Sequence, residues 1–183
     1  MTEIEAGNAS AVNQLIDLWQ KRVYNMAFKM MGDHDKSMDI VQKTFIKMYK
    51  SLAQLKDKQK FKSWLYRIVV NYCKDDLRKV TRTEPIQDMV LNFQDRERAP
   101  QETIEQTELK DVMLSALQKI PEEQKTIIIM KEYEGFKFHE IADTLNISIN
   151  TAKSRMYYGL KSMRKVLLAN PKSKEIYYEI YNH

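Results

Sequence analysis

Apolar side chains recur at three- and four-residue spacing along most of this chain, which is the period of an amphipathic helix and not of a strand. Four glycines in 183 residues, and no Asn-Gly or Asp-Gly between alternating runs, leave little room for hairpins. Val12, Leu15, Ile16, Trp19, Val23, Met26, Ala27 and Met30 predict a helix over about 10–31, broken by Gly32-Asp33-His34-Asp35 with Gly32 suited to the position after the last turn. Ile40, Val41, Thr44, Phe45, Met48 and Leu52 predict a second over about 36–53. The polar, lysine-rich stretch 54–63 reads as a loop, and Leu65, Ile68, Val69, Tyr72 and Leu77 mark a third helix over about 63–79. The period fades between 83 and 107, with Pro85 and Pro100 near the ends, so this segment reads as a linker; a short helix around 88–93 stays open.

A second helical body follows. Leu109, Val112, Met113, Ala116 and Leu117 mark one helix, stopped at Ile120-Pro121. Pro121 suits the first position of the next, where Glu122 and Glu123 complement the helix dipole. Ile127-Ile128-Ile129 has strand character, but the Pro-Glu-Glu-Gln start and the stop at Gly135 favour a helix. Two more are expected at about 138–145 and 149–168, ending before Pro171. The tail with Tyr177, Tyr178 and Tyr181 leaves a further turn open. The expected fold is all-α: small helical domains at 1–82 and 108–170, a flexible linker at 83–107 and a tail at 171–183.

Charge follows the same division. Residues 1–83 carry 16 basic and 9 acidic groups, 84–108 carry 2 and 7, and 109–183 carry 12 and 9. Two basic bodies flanking an acidic strap suggest a polyanionic partner, although a solvated charged surface gives the same count. No apolar run approaches the roughly 18 residues of a membrane span, and MTEIEAGNAS lacks the pattern of a signal peptide. With Cys73 as the single cysteine, the expectation is a reduced cytoplasmic protein without membrane insertion.

The segment 138–165 carries the most specific local pattern. Phe138, Ile141, Ala142 and Leu145 form a short helix in which Ala142 permits close crossing by another. In the turn, Asn146 tolerates left-handed geometry, Ile147 can plug the corner and Ser148 can cap the next helix. That helix carries Ala152, Met156, Leu160 and Met163 on one face, and Asn150, Thr151, Lys153, Ser154, Arg155, Tyr157 and Tyr158 elsewhere. Over 149–165 it has five basic residues and no acid. This is a helix-turn-helix whose second helix suits a duplex major groove, with a plain helical hairpin as the alternative.

The first body carries a different pattern. Trp64, Arg67, Asn71, Lys74 and Arg78 share one helix face, and Lys56, Lys58, Lys60 and Lys62 precede them; 44–82 holds 11 basic residues and 3 acids. An exposed aromatic beside cations and an amide suits unstacked single-stranded bases. The alternative is Trp64 turned inward with solvated lysines.

An enzyme finds little support. His34, His139 and His183 share no ligand spacing with Cys73, and no Gly-rich phosphate loop exists. Asp75-Asp76 and Glu122-Glu123 are adjacent on helices and cannot face one another. Cys73 reads as a core or boundary residue, and the 11 methionines as flexible core filling. No catalytic residue, metal ligand, cofactor or small-molecule substrate is expected.

The order of motifs resembles the extracytoplasmic-function RNA polymerase sigma factors over about 10–168. Asp39-Ile40-Val41-Gln42-Lys43-Thr44-Phe45 resembles the region 2 helix that binds polymerase. The run from Phe61-Lys62-Ser63-Trp64 to Asn71 resembles the promoter-melting segment; Ile120-Pro121-Glu122-Glu123-Gln124 and 138–164 resemble region 4. The resemblance implies a region 2 helical bundle and a region 4 helix-turn-helix. It implies that Asp39, Gln42, Lys43 and Ile46 meet the clamp of the polymerase core. Residues Lys56, Lys58, Lys60, Phe61, Lys62, Ser63, Trp64, Arg67, Asn71, Lys74 and Arg78 would hold the separated −10 strand. Ser148, Asn150, Thr151, Lys153, Ser154, Arg155, Tyr157 and Tyr158 would read the −35 duplex. The partners implied are RNA polymerase core (clamp and flap), promoter DNA and an anti-sigma factor clamping both bodies, with the acidic linker in the RNA exit path. Three departures stand out: Lys43 where an acid is more usual, Ala152 for a β-branched residue and Asn146 for glycine. A conventional regulator with a sensing domain and a helix-turn-helix is the rival, disfavoured by the stripe around Trp64.

Overall fold

The computed structural model describes residues 9–83 and 104–169, with 171, 173–175 and 178, and every regular element among them is helical. Helix α1 (Ala9–Met31) ends where Gly32 takes φ +68° and its N–H donates to Phe28 O at 2.8 Å. Only a residue without Cβ turns the chain here without strain. Asp33 then caps α2 (His34–Ser51), its carboxylate accepting from Lys36 N at 2.9 Å. Two 3₁₀ turns follow, Leu52–Gln54 and Lys58–Lys60, the latter capped by Asp57. Helix α3 (Phe61–Thr83) is longer than the apolar period implies. The stretch expected as a loop is therefore partly helical: its lysines lie outside the core and do not oppose helical turns, and Asp57 supplies the missing cap. Val23, Met26, Met30, Ile40, Met48, Leu65 and Val69 are buried between these three helices.

The second group begins with α4 (Ile104–Gln118), whose first turn lies in the segment expected as linker. Pro121 stands just before α5 (Glu122–Ile128), one position earlier than expected. The end of α5 widens into a π-helical turn, Ile129–Tyr133, with Glu134 N donating to Ile129 O at 3.1 Å. The helix-turn-helix is α6 (Phe138–Leu145) and α7 (Ile149–Ala169). Asn146 takes φ +54°, Ile147 packs on the core, and Ser148 Oγ accepts from Thr151 N at 2.9 Å, as the turn chemistry predicts. Helix α7 crosses α5 closely at Gly159, where a Cβ would lie 2.9 Å from Ile128 Cδ1 and 3.2 Å from Gln124 Cβ.

The two groups share one continuous core. Helix α3 packs on α6, and α1 on α4 and α5. The sequence suggests two bodies on a strap; it does not reveal that they close on each other. The linker between 84 and 103, including the possible helix at 88–93, lies outside the described residues, as do Tyr177 and Tyr181.

Substituting Gly159→Leu forces a side chain into this crossing and is expected to destabilise the fold by about 1–3 kcal/mol, read as a lower urea midpoint.

Candidate nucleic-acid interface

The outward face of α7 starts at its capped N-terminus. Asn150, Lys153, Tyr157 and Tyr158 are exposed, the two tyrosine rings meeting edge to face at 5.4 Å. The hydroxyls have local duties. Ser148 and Thr151 hydrogen-bond each other at 2.8 Å, and Ser154 donates to Thr151 O at 3.0 Å. Arg155 is half-buried and paired with Glu123 of α5 at 2.6 Å, which aims its guanidinium along the α5 side of the helix. Of the eight residues expected to read duplex DNA, six are exposed and Thr151 and Arg155 are half-buried, while Ser148, Thr151, Ser154 and Arg155 also hold the helix in place.

The stripe on α3 is less open than its spacing implies. Lys56, Lys58, Lys60, Arg67, Asn71 and Arg78 are exposed, whereas Lys62, Ser63, Trp64 and Lys74 are half-buried. Trp64 packs on the core beside Phe61, ring centroids 5.9 Å apart, so the inward alternative holds in part. Phe61 is itself buried, edge-on to Trp19 at 5.5 Å, and supports Trp64 from below. Arg78 lies 3.9 Å from Asp75.

The second helix group lies across this stripe. Arg67 donates from Nε to Thr144 O at 2.8 Å and from Nη2 to Asp143 O, both at the end of α6. Lys62 donates to Glu134 O at 2.8 Å and sits 4.1 Å from the Phe136 ring centre. Lys74 pairs with Glu122 at 3.6 Å. Beneath them Tyr66 donates to the Glu134 carboxylate; burial and that carboxylate both push its phenol up. A cleft of about 450 Å³ remains, lined by Arg67, Val70, Asn71, Lys74, Thr144, Leu145 and Asn146.

Two residues of this seam carry no sequence signal. Gln118 donates to Lys29 O at 2.8 Å, and Lys125 donates to Met30 O at 3.2 Å and to Gln118 Oε1 at 2.8 Å. Together they answer carbonyls at the end of α1 that no residue of that helix can reach. Lys125 is 4 % exposed. Burial pulls its ammonium down to about 8, against the opposite pull of Glu122 and Cys73. Cys73 is fully buried and burial pushes its thiol up to about 12, so it is the inert core residue its surroundings suggest.

On the far side of the first group, α2 presents Asp39, Gln42 and Ile46 outward, with Lys43 bonded to Asp39 and held above its ordinary value by that bond. Met38 and Tyr49, 49 % and 67 % exposed, extend the same stripe. They were missed, yet their three- and four-residue spacing from Gln42 and Ile46 marks the face that the core does not use.

Comparison with known proteins bears on both surfaces. Residues 15–83 match the family Sigma-70 region 2, and residues 110–163 match Sigma-70, region 4. RNA polymerase sigma factor SigV of Bacillus subtilis (strain 168) is 33% identical over 141 residues, covering 77% of this chain and 81% of SigV. The chain belongs to the extracytoplasmic-function sigma factors of RNA polymerase. This sigma factor binds RNA polymerase and directs promoter-specific transcription. ECF RNA polymerase sigma factor SigW of the same organism is 27% identical over 175 residues, covering 90% of this chain and 93% of SigW. Two solved structures share the fold. CnrH in complex with the cytosolic domain of CnrY has a TM-score of 0.68 at 21% identity, covering 92% of this chain and 95% of that one. RpoE with the anti-sigma factor NepR from Bartonella quintana has 0.64 at 22%, covering 85% and 95%.

The Lys125 shift makes seam stability depend on pH. The group is displaced downward in the fold, so the unfolded chain binds more protons between about 8 and 10.5, and stability rises with pH through that window. Cys73, displaced upward from 9.0 to about 12, acts in the opposite sense above pH 9. The readout is therefore the difference between the native chain and Lys125→Met. Urea unfolding is expected to show that difference growing by up to about 3 kcal/mol across the window, and a pH-independent difference would contradict the assignment.

Proposed function

We propose that this sigma factor divides promoter recognition between its two helix groups. The outward face of α7 enters the major groove of the −35 duplex, with Asn150, Lys153, Tyr157 and Tyr158 toward the bases and phosphates. The face of α3, with Trp64, Arg67, Asn71 and the lysines of 56–62, receives the separated −10 strand. The α2 stripe of Met38, Asp39, Gln42, Lys43, Ile46 and Tyr49 docks on the polymerase clamp, α4–α7 meet the flap, and the acidic segment follows the RNA exit path. The observation that carries this reading is the acid-free outward face of α7, an arrangement that attracts a phosphate backbone and offers side chains to base edges.

The factor works by binding polymerase and promoter DNA. Among the described residues no group of three or more His, Cys, Asp or Glu is arranged to hold a metal, and the cleft near Arg67 holds no nucleophile–base pair. No described helix is long and apolar enough to cross a membrane. We infer that the protein acts in the cytoplasm beside polymerase and the chromosome. Because two structures that share its fold are complexes with other chains, CnrY and the anti-sigma factor NepR, we infer an anti-sigma partner here too, spanning both helix groups.

Purified protein added to core polymerase is expected to yield transcripts from a specific promoter. Lys153→Ala should weaken promoter binding and lower the slope of log affinity against log salt by about 1. Asn71→Ala should leave duplex binding intact and reduce permanganate-detected opening by up to about tenfold. Opening that is unchanged in Asn71→Ala, with promoter binding preserved, would remove α3 from the melting step.

A further inference from the structure

The outward face of α7 is uneven in character. Lys153 stands near its start, and Lys161, Arg164 and Lys165 are exposed toward its end. The turns between them present no outward cation. Ser154 donates to Thr151 O at 3.0 Å, and Arg155 is turned aside to Glu123 at 2.6 Å. What faces outward there is largely apolar. Tyr157 and Tyr158 are 65 % and 56 % exposed, and Leu160, whose spacing suggests the core, is 49 % exposed. The two tyrosine rings meet edge to face at 5.4 Å with their planes inclined at 76°, so each limits the other's rotation before any partner arrives. A tyrosine also has only two side-chain torsions to fix, so a contact made through it costs little order.

A helix with this distribution sorts its contacts when it lies in a groove. The flanking cations meet phosphates and set the register, which carries no sequence information. The choice of base falls to the middle of the face. The hydrogen-bonding groups of base edges gain nothing from the rim of an aromatic ring. The major groove offers one apolar group, the C5 methyl of thymine, and covering it removes apolar surface on both partners from water. We propose that Tyr157 and Tyr158 are the thymine readers of this sigma factor: their rings pack on thymine methyl groups in the −35 duplex and select that base by apolar contact rather than by hydrogen bonding. The proposal rests on α7 lying in the −35 groove and adds to it the kind of base that α7 chooses.

The test uses the full chain with core polymerase, on a promoter duplex that this holoenzyme selects from a random pool. Each thymine of the −35 segment, on either strand, is replaced in turn by deoxyuridine, which removes the methyl and leaves every hydrogen-bonding group. At one or two positions the replacement is expected to weaken binding roughly fourfold. Tyr157→Ala and Tyr158→Ala, with circular dichroism unchanged, should each abolish the thymine-over-uracil ratio at the position its ring covers. Tyr157→Phe and Tyr158→Phe should keep that ratio, whatever they do to affinity. A duplex indifferent to every replacement, when Lys153→Ala still weakens binding, overturns the thymine reading and leaves α7 in the groove. If Lys153→Ala is without effect as well, α7 is not in the groove and both readings fall. A ratio that survives both alanine changes assigns the methyl to another side chain, and a ratio lost with phenylalanine assigns the discrimination to the hydroxyl; either result overturns the proposal.

Discussion

Both helix groups close on Tyr66. Its ring has no exposed surface and meets Trp19 of α1 edge-on at 6.3 Å and Phe136 of the second group at 5.1 Å, while its hydroxyl donates to Glu134. A buried phenol needs a partner for its O–H. The carboxylate that answers it comes from beyond the π-helical turn of α5, so the register of that turn is tied to α3. The lysine and arginine contacts of the seam lie around this aromatic centre and inherit their positions from it. The side chain that organises the first bundle is thus the same one on which the second bundle rests.

The seam also supplies the basic stripe of α3 with counter-charges. Basic side chains on α3 repel each other in the absence of a counter-charge, and the second group supplies one in three forms. Glu122 gives a carboxylate to Lys74, the Glu134 carbonyl accepts from Lys62, and the end of α6 offers its dipole to Arg67. None of these is a deeply buried ion pair, and exposed or half-exposed pairs are individually weak. Their sum is an attachment spread over several weak contacts rather than concentrated in one.

Much of the fold was legible because the apolar period alone decides where helices run. The stops at Gly32 and Gly135, the left-handed Asn146 and the Ser148 cap are local chemistry, and local chemistry can be read in order along a chain. So can the outward residues of α7. The closure of the two groups was not legible. It depends on Gln118, Lys125 and Glu134, polar residues that look like solvated surface until the partner carbonyls and phenol are brought to them by tertiary packing. Trp64 shows the same limit: a helical wheel assigns it to the outer face, but Phe61 beneath it and the core beside it draw the ring half inward. Met38 and Tyr49 belong to the opposite case, present in the periodicity but hidden behind the more conspicuous charges of Asp39 and Lys43.

The widened turn at Ile129–Tyr133 holds one residue more than a regular turn would. Deleting a single residue there would let α5 continue as an ordinary helix and swing everything after it by about 100°. Glu134 would turn away from the phenol it serves, and Phe136 from the ring it touches. The coupling of the two halves is therefore written as an insertion. A chain lacking that residue would keep both α3 and α7 while losing the means of folding them together.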